Sequence, residues 1–365
     1  MKIIYDNIIF SLQKSGGISV VWYEMIKRFL NRKDINIKFL EMQGKENNIL
    51  RNGLNIPSKQ IIALKYPIFN IQRYLNPTIN SHEPFIFHSS YYRICKNKHA
   101  INITTVHDFT YEYFVTGIKK KMHCLQKYQA IRNSDYIICI SENTKKDLLK
   151  FLPDVNEHKI HVIYNGISDD YKPLYSKEQN NIVSFDPYTF VLFVGSRSKY
   201  KNFDLAVEAI SKTNLNLVIV GAELTKEESD FLNNKLGKDK YSHKKNVSNK
   251  ELNILYNHAF CLLYPSSYEG FGIPVIEAQK TGCPVIAYNG SSIPEIIGDT
   301  PLLLNDLSVE TILSKLDIIR DNRQREYIIE KGMENASQFT WENTFNKVIS
   351  LYKKAWKNHN LCDKF

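Results

Sequence analysis

The stretch Ser266-Ser267-Tyr268-Glu269-Gly270-Phe271-Gly272-Ile273-Pro274-Val275-Ile276-Glu277-Ala278 follows an apolar run, Phe260-Cys261-Leu262-Leu263-Tyr264. That run reads as a buried strand stopped by Pro265. Gly270 and Gly272 let the backbone approach a ligand closely, and Pro274 suits the first turn of a helix. A helix start presents unpaired N–H groups and a partial positive charge to whatever lies before it, which suits a phosphate. Glu269 lies in the loop and Glu277 follows eight residues later in the first helical turns. Amides for phosphates and carboxylates for sugar hydroxyls would hold a phosphorylated, hydroxyl-rich molecule. The same residues also fit a plain strand–turn–helix with two solvated glutamates, and both readings stand at this point.

Outward from this segment, short β-branched runs alternate with helical patterns, the mark of parallel sheets covered by helices. Strands are expected at 2–5, 36–40, 85–88, 102–106, 136–140 and 159–163, then at 190–194, 215–220, 260–264 and 284–287. A chain of 365 residues has room for two cores. The polar, aperiodic stretch from Ser168 to Asn181 is expected to link them. The expected division is 1–172, 173–340 and a C-terminal helix in 341–365, whose Trp341, Phe345, Val348, Ile349, Tyr352, Ala355 and Trp356 share one face.

No apolar run approaches the ~20 residues of a membrane span, and Met1–Asp6 reads as a strand rather than a signal peptide. Six cysteines are scattered without a C-x-x-C pair, so thiols packed as small hydrophobes in a reducing cytoplasm are expected, with no structural metal. The net charge of +10 is uneven: residues 1–172 carry 25 Lys and Arg against 15 Asp and Glu, and residues 173–365 carry 23 against 23. A basic first half suits an anionic partner: a membrane surface, a phosphorylated acceptor or nucleic acid. Within it, Gly117 to Arg132 combines Lys119, Lys120, Lys121, Lys127 and Arg132 with Met122, Leu125, Tyr128 and Ile131. This is either a solvated helix face or a surface resting on anionic headgroups.

Other positions fit the same chemistry. Gly16-Gly17 stands between a first strand and an amphipathic helix, as a phosphate loop or a tight turn would. Arg197 and Lys201 follow the strand 190–194 at its carboxyl end, where open α/β sheets bind ligands. Together they suit a diphosphate clamp or a solvated basic loop, and Asn202 is expected to cap the next helix. His107-Asp108 ends the strand 102–106, with Asp108 orienting the ring, capping a turn or facing an acceptor side. His88 and Tyr91 end another strand, at an acceptor side or in the packing.

Glu-Gly-Phe-Gly-Ile-Pro with a second Glu eight residues after the first resembles the signature of the retaining, nucleotide-sugar-dependent glycosyltransferases of family four. The resemblance covers both halves and is most specific over 190–300. It implies the GT-B fold: two Rossmann-like α/β domains with parallel sheets facing across a cleft, and a C-terminal helix crossing back to the first. It implies that Glu269 contacts the donor sugar, that Glu277 holds the ribose, and that Gly16, Gly17, Gly270, Phe271 and Gly272 lie along the donor. It makes Arg197 and Lys201 the clamp on the leaving diphosphate, and places His107 beside the anomeric carbon. Val247 falls in a stretch resembling the one whose backbone meets the nucleobase. The expected reaction is retaining, metal-independent hexosyl transfer from a UDP- or GDP-sugar, without a cofactor, by front-face attack. The expected acceptor is a glycan, lipid-linked in O-antigen or capsule synthesis, reached by a cytoplasmic protein peripheral on the inner membrane face.

Three rivals are kept: a sugar-nucleotide epimerase on the same frame, a transferase with a soluble acceptor, and a nucleic-acid binder. The last lacks a recognised motif and gives no reason for Glu269 and Glu277, so nucleic acid is not the expected partner.

Overall fold

A computed structural model describes residues 1–42, 48–64, 73–174 and 182–362. The chain divides into two units, Met1–Gly166 with Trp341–Phe365, and Ile167–Thr340.

The first unit carries β1 (Lys2–Asp6), α1 (Ile9–Leu12), α2 (Gly17–Leu30), β2 (Asn36–Met42), α3 (Ile49–Asn52), β3 (Ile61–Leu64) and β4 (Phe85–Ser89). These are followed by β5 (Ala100–Val106), α4 (Thr110–Phe114), α5 (Gly117–Arg132), β6 (Tyr136–Cys139), α6 (Glu142–Phe151) and β7 (Ile160–Val162). Every described pairing is parallel, in the order β3-β2-β1-β4-β5-β6-β7. The second unit contains β8 (Phe190–Val194), α7 (Phe203–Ser211), β9 (Asn216–Val220), α8 (Lys226–Lys235), β10 (Tyr241–Lys244), α9 (Asn249–His258) and β11 (Cys261–Tyr264). It continues with α10 (Ile273–Lys280), β12 (Val285–Tyr288), α11 (Ile293–Ile297), β13 (Leu303–Leu304), α12 (Val309–Arg320) and α13 (Asn322–Ala336). Its sheet is also parallel, in the order β10-β9-β8-β11-β12-β13.

Parallel strands covered on both faces must be apolar throughout. Phe190, Val191, Leu192, Leu217, Val218, Cys261 and Leu262 are accordingly sealed from solvent. Both sheets change direction beside their first strand, at β1/β4 and at β8/β11, and the crevice at such a reversal is where α/β sheets take ligands. The loops after β1, β8 and β11 are those carrying Gly16-Gly17, Arg197 with Lys201, and Glu269.

The last helix, α14 (Trp341–Cys362), belongs to the first unit. Its Phe345, Val348, Ile349, Tyr352 and Ala355 are buried in the core that holds Tyr5, Trp22 and Phe29, and the Phe345 ring lies edge-on to Phe29 at 5.0 Å. No described helix is long and apolar enough to cross a membrane.

Two expectations need correction. Strands β3, β10 and β13 go unrecognised in the sequence, and all three are sheet edges. An edge strand is covered less, so Tyr241-Ser242-His243-Lys244 needs no apolar run. The unit boundary falls at 166/167 rather than 172/173, because the chain is already tied to the second unit there. Ile167 bridges to Thr340, Lys280 Nζ donates to the Ser168 carbonyl at 3.0 Å, and the Lys172 N–H donates to Asn253 Oδ1 at 2.9 Å. Residues 175–181 of the expected linker lie outside the described residues.

Candidate active site

In the second unit the loops after β8 and β11 are laced together. The Ser267 N–H donates to the Tyr200 carbonyl at 2.7 Å. Asn202 donates from Nδ2 to the Pro265 carbonyl and to Ser267 Oγ, both at 2.8 Å. Asn202 therefore does not cap α7 as expected: its backbone is left-handed and its side chain serves the crossing. This lacing sets the Lys201 ammonium against the Glu269 carboxylate, with both side chains mostly enclosed and the Tyr264 hydroxyl 3.4 Å from Nζ.

The loop after β12 fixes the backbone of the same segment. The Glu269 N–H donates to Ser291 Oγ at 2.8 Å, and Ser292 Oγ donates to the Glu269 carbonyl at 2.9 Å with the Phe271 carbonyl at 3.0 Å. Gly272 closes the loop at φ 103°, a conformation that favours glycine, and a Cβ there would meet the tip of the Ile293 side chain, Cδ1, at 2.7 Å. Helix α10 starts directly after it with Pro274 in its first turn and no side-chain cap. In this first turn Pro274 has no N–H and the Val275 N–H donates to the Gly272 carbonyl at 3.0 Å.

Glu277, on α10, is partly buried and accepts from the Tyr256 hydroxyl at 3.0 Å, with Tyr171 as a second hydroxyl partner. Burial pushes its carboxyl up to about 7, against the pull of the two tyrosines. Val247 stands between Asn246, which is left-handed at φ 52°, and Ser248, whose hydroxyl caps α9 in a reciprocal pair with Glu251.

Arg197, like Lys201, is ion-paired rather than part of a solvated basic loop. Its Nε donates to Glu228 on α8 at 2.8 Å and its Nη2 to the Glu223 carbonyl at 2.7 Å, while Nη1 is buried without a partner. The fork is already committed because Glu228, in the first turn of α8, lies within its reach.

In the first unit Gly16 precedes α2 with no side-chain cap and no acidic residue in the first turn. Asp6, at the end of β1, is sealed in an ion pair with Arg93, whose Nε donates to Asp6 Oδ2 at 2.8 Å. His107 sits at the carboxyl end of β5, is 8 % exposed, and keeps Nε2 without a partner. Burial pulls its ring down to about 4, Lys127 adds to that, and the Asp108 carboxylate opposes it. The ring is therefore neutral at physiological pH, a hydrogen-bonding group rather than a charge. Of the two roles open to Asp108, the observed one is the turn: Oδ1 accepts the Thr110 N–H at 2.9 Å. Lys127, fully buried, donates to the Asp108 carbonyl at 2.5 Å and pairs with Glu112, pinning the turn behind His107.

His88 does not line an acceptor side. It is 2 % exposed, its Nδ1 meets the Tyr352 hydroxyl and its Nε2 meets Thr105 Oγ1 at 2.9 Å, which makes it a satisfied core histidine. Tyr91 is engaged by Arg73 and by His123 Nδ1 at 3.0 Å rather than left open. Sequence reasoning missed Tyr256, Tyr171, Ser291, Ser292 and Glu228. Only the two serines had a signal, in their place after a core strand. No described group of three or more His, Cys, Asp or Glu is placed to hold a metal ion.

Two family models match the chain: "Glycosyltransferase Family 4" over residues 15–171 and "Glycosyl transferases group 1" over 176–335. An uncharacterized glycosyltransferase of Methanocaldococcus jannaschii is 28% identical over 372 residues, with 97% of this chain and 98% of that protein covered. O-antigen chain mannosyltransferase B of Escherichia coli is 39% identical over 108 residues, 29% of this chain and 28% of its own. The crystal structure of Anabaena HepE in complex with UDP-glucose superposes with a TM-score of 0.72 at 15% identity, covering 97% of this chain and all of that one.

Proposed function

The chain belongs to the group 1, family 4 glycosyltransferases of GT-B fold, and from that premise we propose that it moves a hexose-type sugar from a nucleoside-diphosphate sugar to a glycan. The observation carrying this is the segment from Glu269 to Glu277: a carboxylate held by Lys201, an uncapped helix start, then a second carboxylate. In the proposed reaction the α10 amides and Lys201 take the diphosphate, and Glu277 takes the ribose hydroxyls. Glu269 takes hydroxyls of the transferred sugar, and neutral His107 hydrogen-bonds that sugar through Nε2. Gly16 and Gly17 approach the diphosphate with their amides, and Val247 offers its backbone to the base.

Departure of the nucleoside diphosphate leaves negative charge on its phosphates. Preorganised cations and helix amides stabilise that charge most in the transition state, the role a metal plays elsewhere. Arg197, half-neutralised by Glu228, backs this charge rather than clamping it. Retention follows from attack on the face the diphosphate leaves, with the departing phosphate taking the acceptor's proton. UDP- and GDP-sugars are the candidate donors; the HepE complex with UDP-glucose supports the first. The likeness to an O-antigen mannosyltransferase supports a surface-polysaccharide acceptor, lipid-linked and met at a membrane face by the basic first unit. Nuclear magnetic resonance of the purified product tests the stereochemistry: the linkage should keep the anomeric configuration of the donor, and an inverted linkage would sink the retaining mechanism.

A further inference from the structure

A glycine pair such as Gly16-Gly17 does not hold itself still, because glycine gives up more backbone freedom on ordering than any other residue. Gly16 is extended at φ 161° and ψ 166° with no side-chain cap ahead of α2, and Lys14 and Ser15 before it are exposed. On its far side the loop is tied by its own helix. Ser19 Oγ donates to the Gly16 carbonyl at 2.9 Å, and the Val20 N–H donates to the same carbonyl at 3.1 Å. On its near side the ties come from a distant part of the chain. Asn48 Nδ2 donates to the Gln13 carbonyl at 2.9 Å, and the Ile49 N–H donates to the Lys14 carbonyl at 3.1 Å.

Asn48 is sealed from solvent and is itself fixed from behind. Its Oδ1 caps α3, accepting the Leu50 N–H at 2.9 Å and the Arg51 N–H at 3.1 Å. The Arg51 guanidinium forks onto Glu41 of β2, with Nε donating to Oε1 at 2.7 Å and Nη2 to Oε2 at 2.8 Å. Glu41 Oε1 also accepts from Asn7 Nδ2 at 2.8 Å, just past β1, and Asn7 Oδ1 accepts the Trp22 indole N–H from α2 at 2.9 Å. These bonds close a buried circuit that runs from α2 through Asn7, β2 and α3 and returns to the loop before Gly16. Its forked, charge-assisted member is of the strong kind.

We propose that Asn48 is a positioning residue for the Gly16-Gly17 loop: its carboxamide, oriented by α3 and the Glu41–Arg51 pair, sets the loop where its amides meet a nucleoside diphosphate. The inference rests on the transferase reading above and deepens it by naming what preorganises this part of the donor site. A loop that the ligand must first order binds that ligand more weakly. The chemistry asks for a carboxamide, which accepts from α3 and donates to the Gln13 carbonyl at once. An ionised aspartate caps a helix as well as asparagine but only accepts, so it would turn a second oxygen towards that carbonyl. Capping α3 needs the acceptor and positioning the loop needs the donor, so the two roles separate.

The test compares Asn48→Asp and Asn48→Ala with wild type in the full chain, by calorimetric titration with UDP and with GDP and by amide hydrogen exchange. Both variants should bind the nucleoside diphosphate that wild type binds roughly 5- to 10-fold more weakly, the worth of one hydrogen bond. The aspartate should lose at least as much affinity as the alanine. Exchange without nucleotide should quicken over residues 13–17 in both variants, and over 50–54 only in the alanine, which loses the cap. An aspartate variant that binds and exchanges like wild type overturns the proposal, because the cap alone then accounts for the residue. Faster exchange over 13–17 with unchanged affinity overturns it as well. Where the buried carboxylate prevents folding, the alanine variant decides: unchanged affinity or unchanged exchange over 13–17 refutes the assignment. A wild type that binds neither UDP nor GDP, while exchange over 13–17 responds as expected, would overturn the transferase reading and leave Asn48 as the tie of this loop.

Discussion

Glu277→Gln separates the two consequences of a carboxyl held at about 7 by burial. In the unfolded chain the group titrates at its ordinary value of 4.5, so the folded state binds the proton more tightly. The resulting contribution to stability is full below pH 4.5 and is lost as pH rises through about 7. The difference between the two values corresponds to about 3 kcal/mol, an upper bound for a side chain that water partly reaches. Urea unfolding at about pH 4.5 and about pH 8 should show wild type losing up to ~3 kcal/mol more than Glu277→Gln across that window. Other titrating groups cancel in the comparison. Donor affinity should move the opposite way, rising through about pH 7 in wild type as the carboxylate becomes a charged acceptor, and staying flat and weaker in the variant. Parallel stability curves for the two proteins would refute both the shifted carboxyl and the inference drawn from Tyr256 and Tyr171.

Lys201→Met should weaken nucleoside diphosphate binding by about 1.5–3 kcal/mol, the worth of a charged hydrogen bond, which calorimetry reads directly. His107→Ala should leave that affinity intact and slow sugar transfer by ~100-fold in single-turnover assays, with no rate step from this ring between about pH 5.5 and 8. Gly272→Ala should cost about 1–3 kcal/mol of stability, because φ 103° and a 2.7 Å approach to Ile293 both oppose a side chain, and donor affinity should fall with it.

What the sequence made legible follows from which constraints are local. The central strands β1, β4, β5, β8, β9 and β11 are apolar because both faces are covered, and the Glu269–Glu277 segment carries its glycines and proline where the turn needs them. Strand β10 escaped because Tyr241-Ser242-His243-Lys244 is polar and half-buried, whereas β3 and β13 are apolar but only four and two residues long. Arg197 looked like a free cation because Glu228 is 31 residues away, and nothing local joins them. His88 was legible only as a strand-end residue, on an acceptor side or in the packing, because its partners, Thr105 and Tyr352, come from β5 and α14. Helix α5 was legible as a basic helix, but the burial of Lys127 was not, because its partner Glu112 lies outside the helix.

The most direct measurement is release of nucleoside diphosphate when the purified chain is incubated with a panel of UDP- and GDP-sugars and a membrane extract containing lipid-linked glycans. Extract-dependent release from one donor, with the sugar recovered on a glycan and the activity lost in Lys201→Met, is the predicted result. Conversion of the donor into another sugar nucleotide without release, or no turnover of any donor, would contradict it.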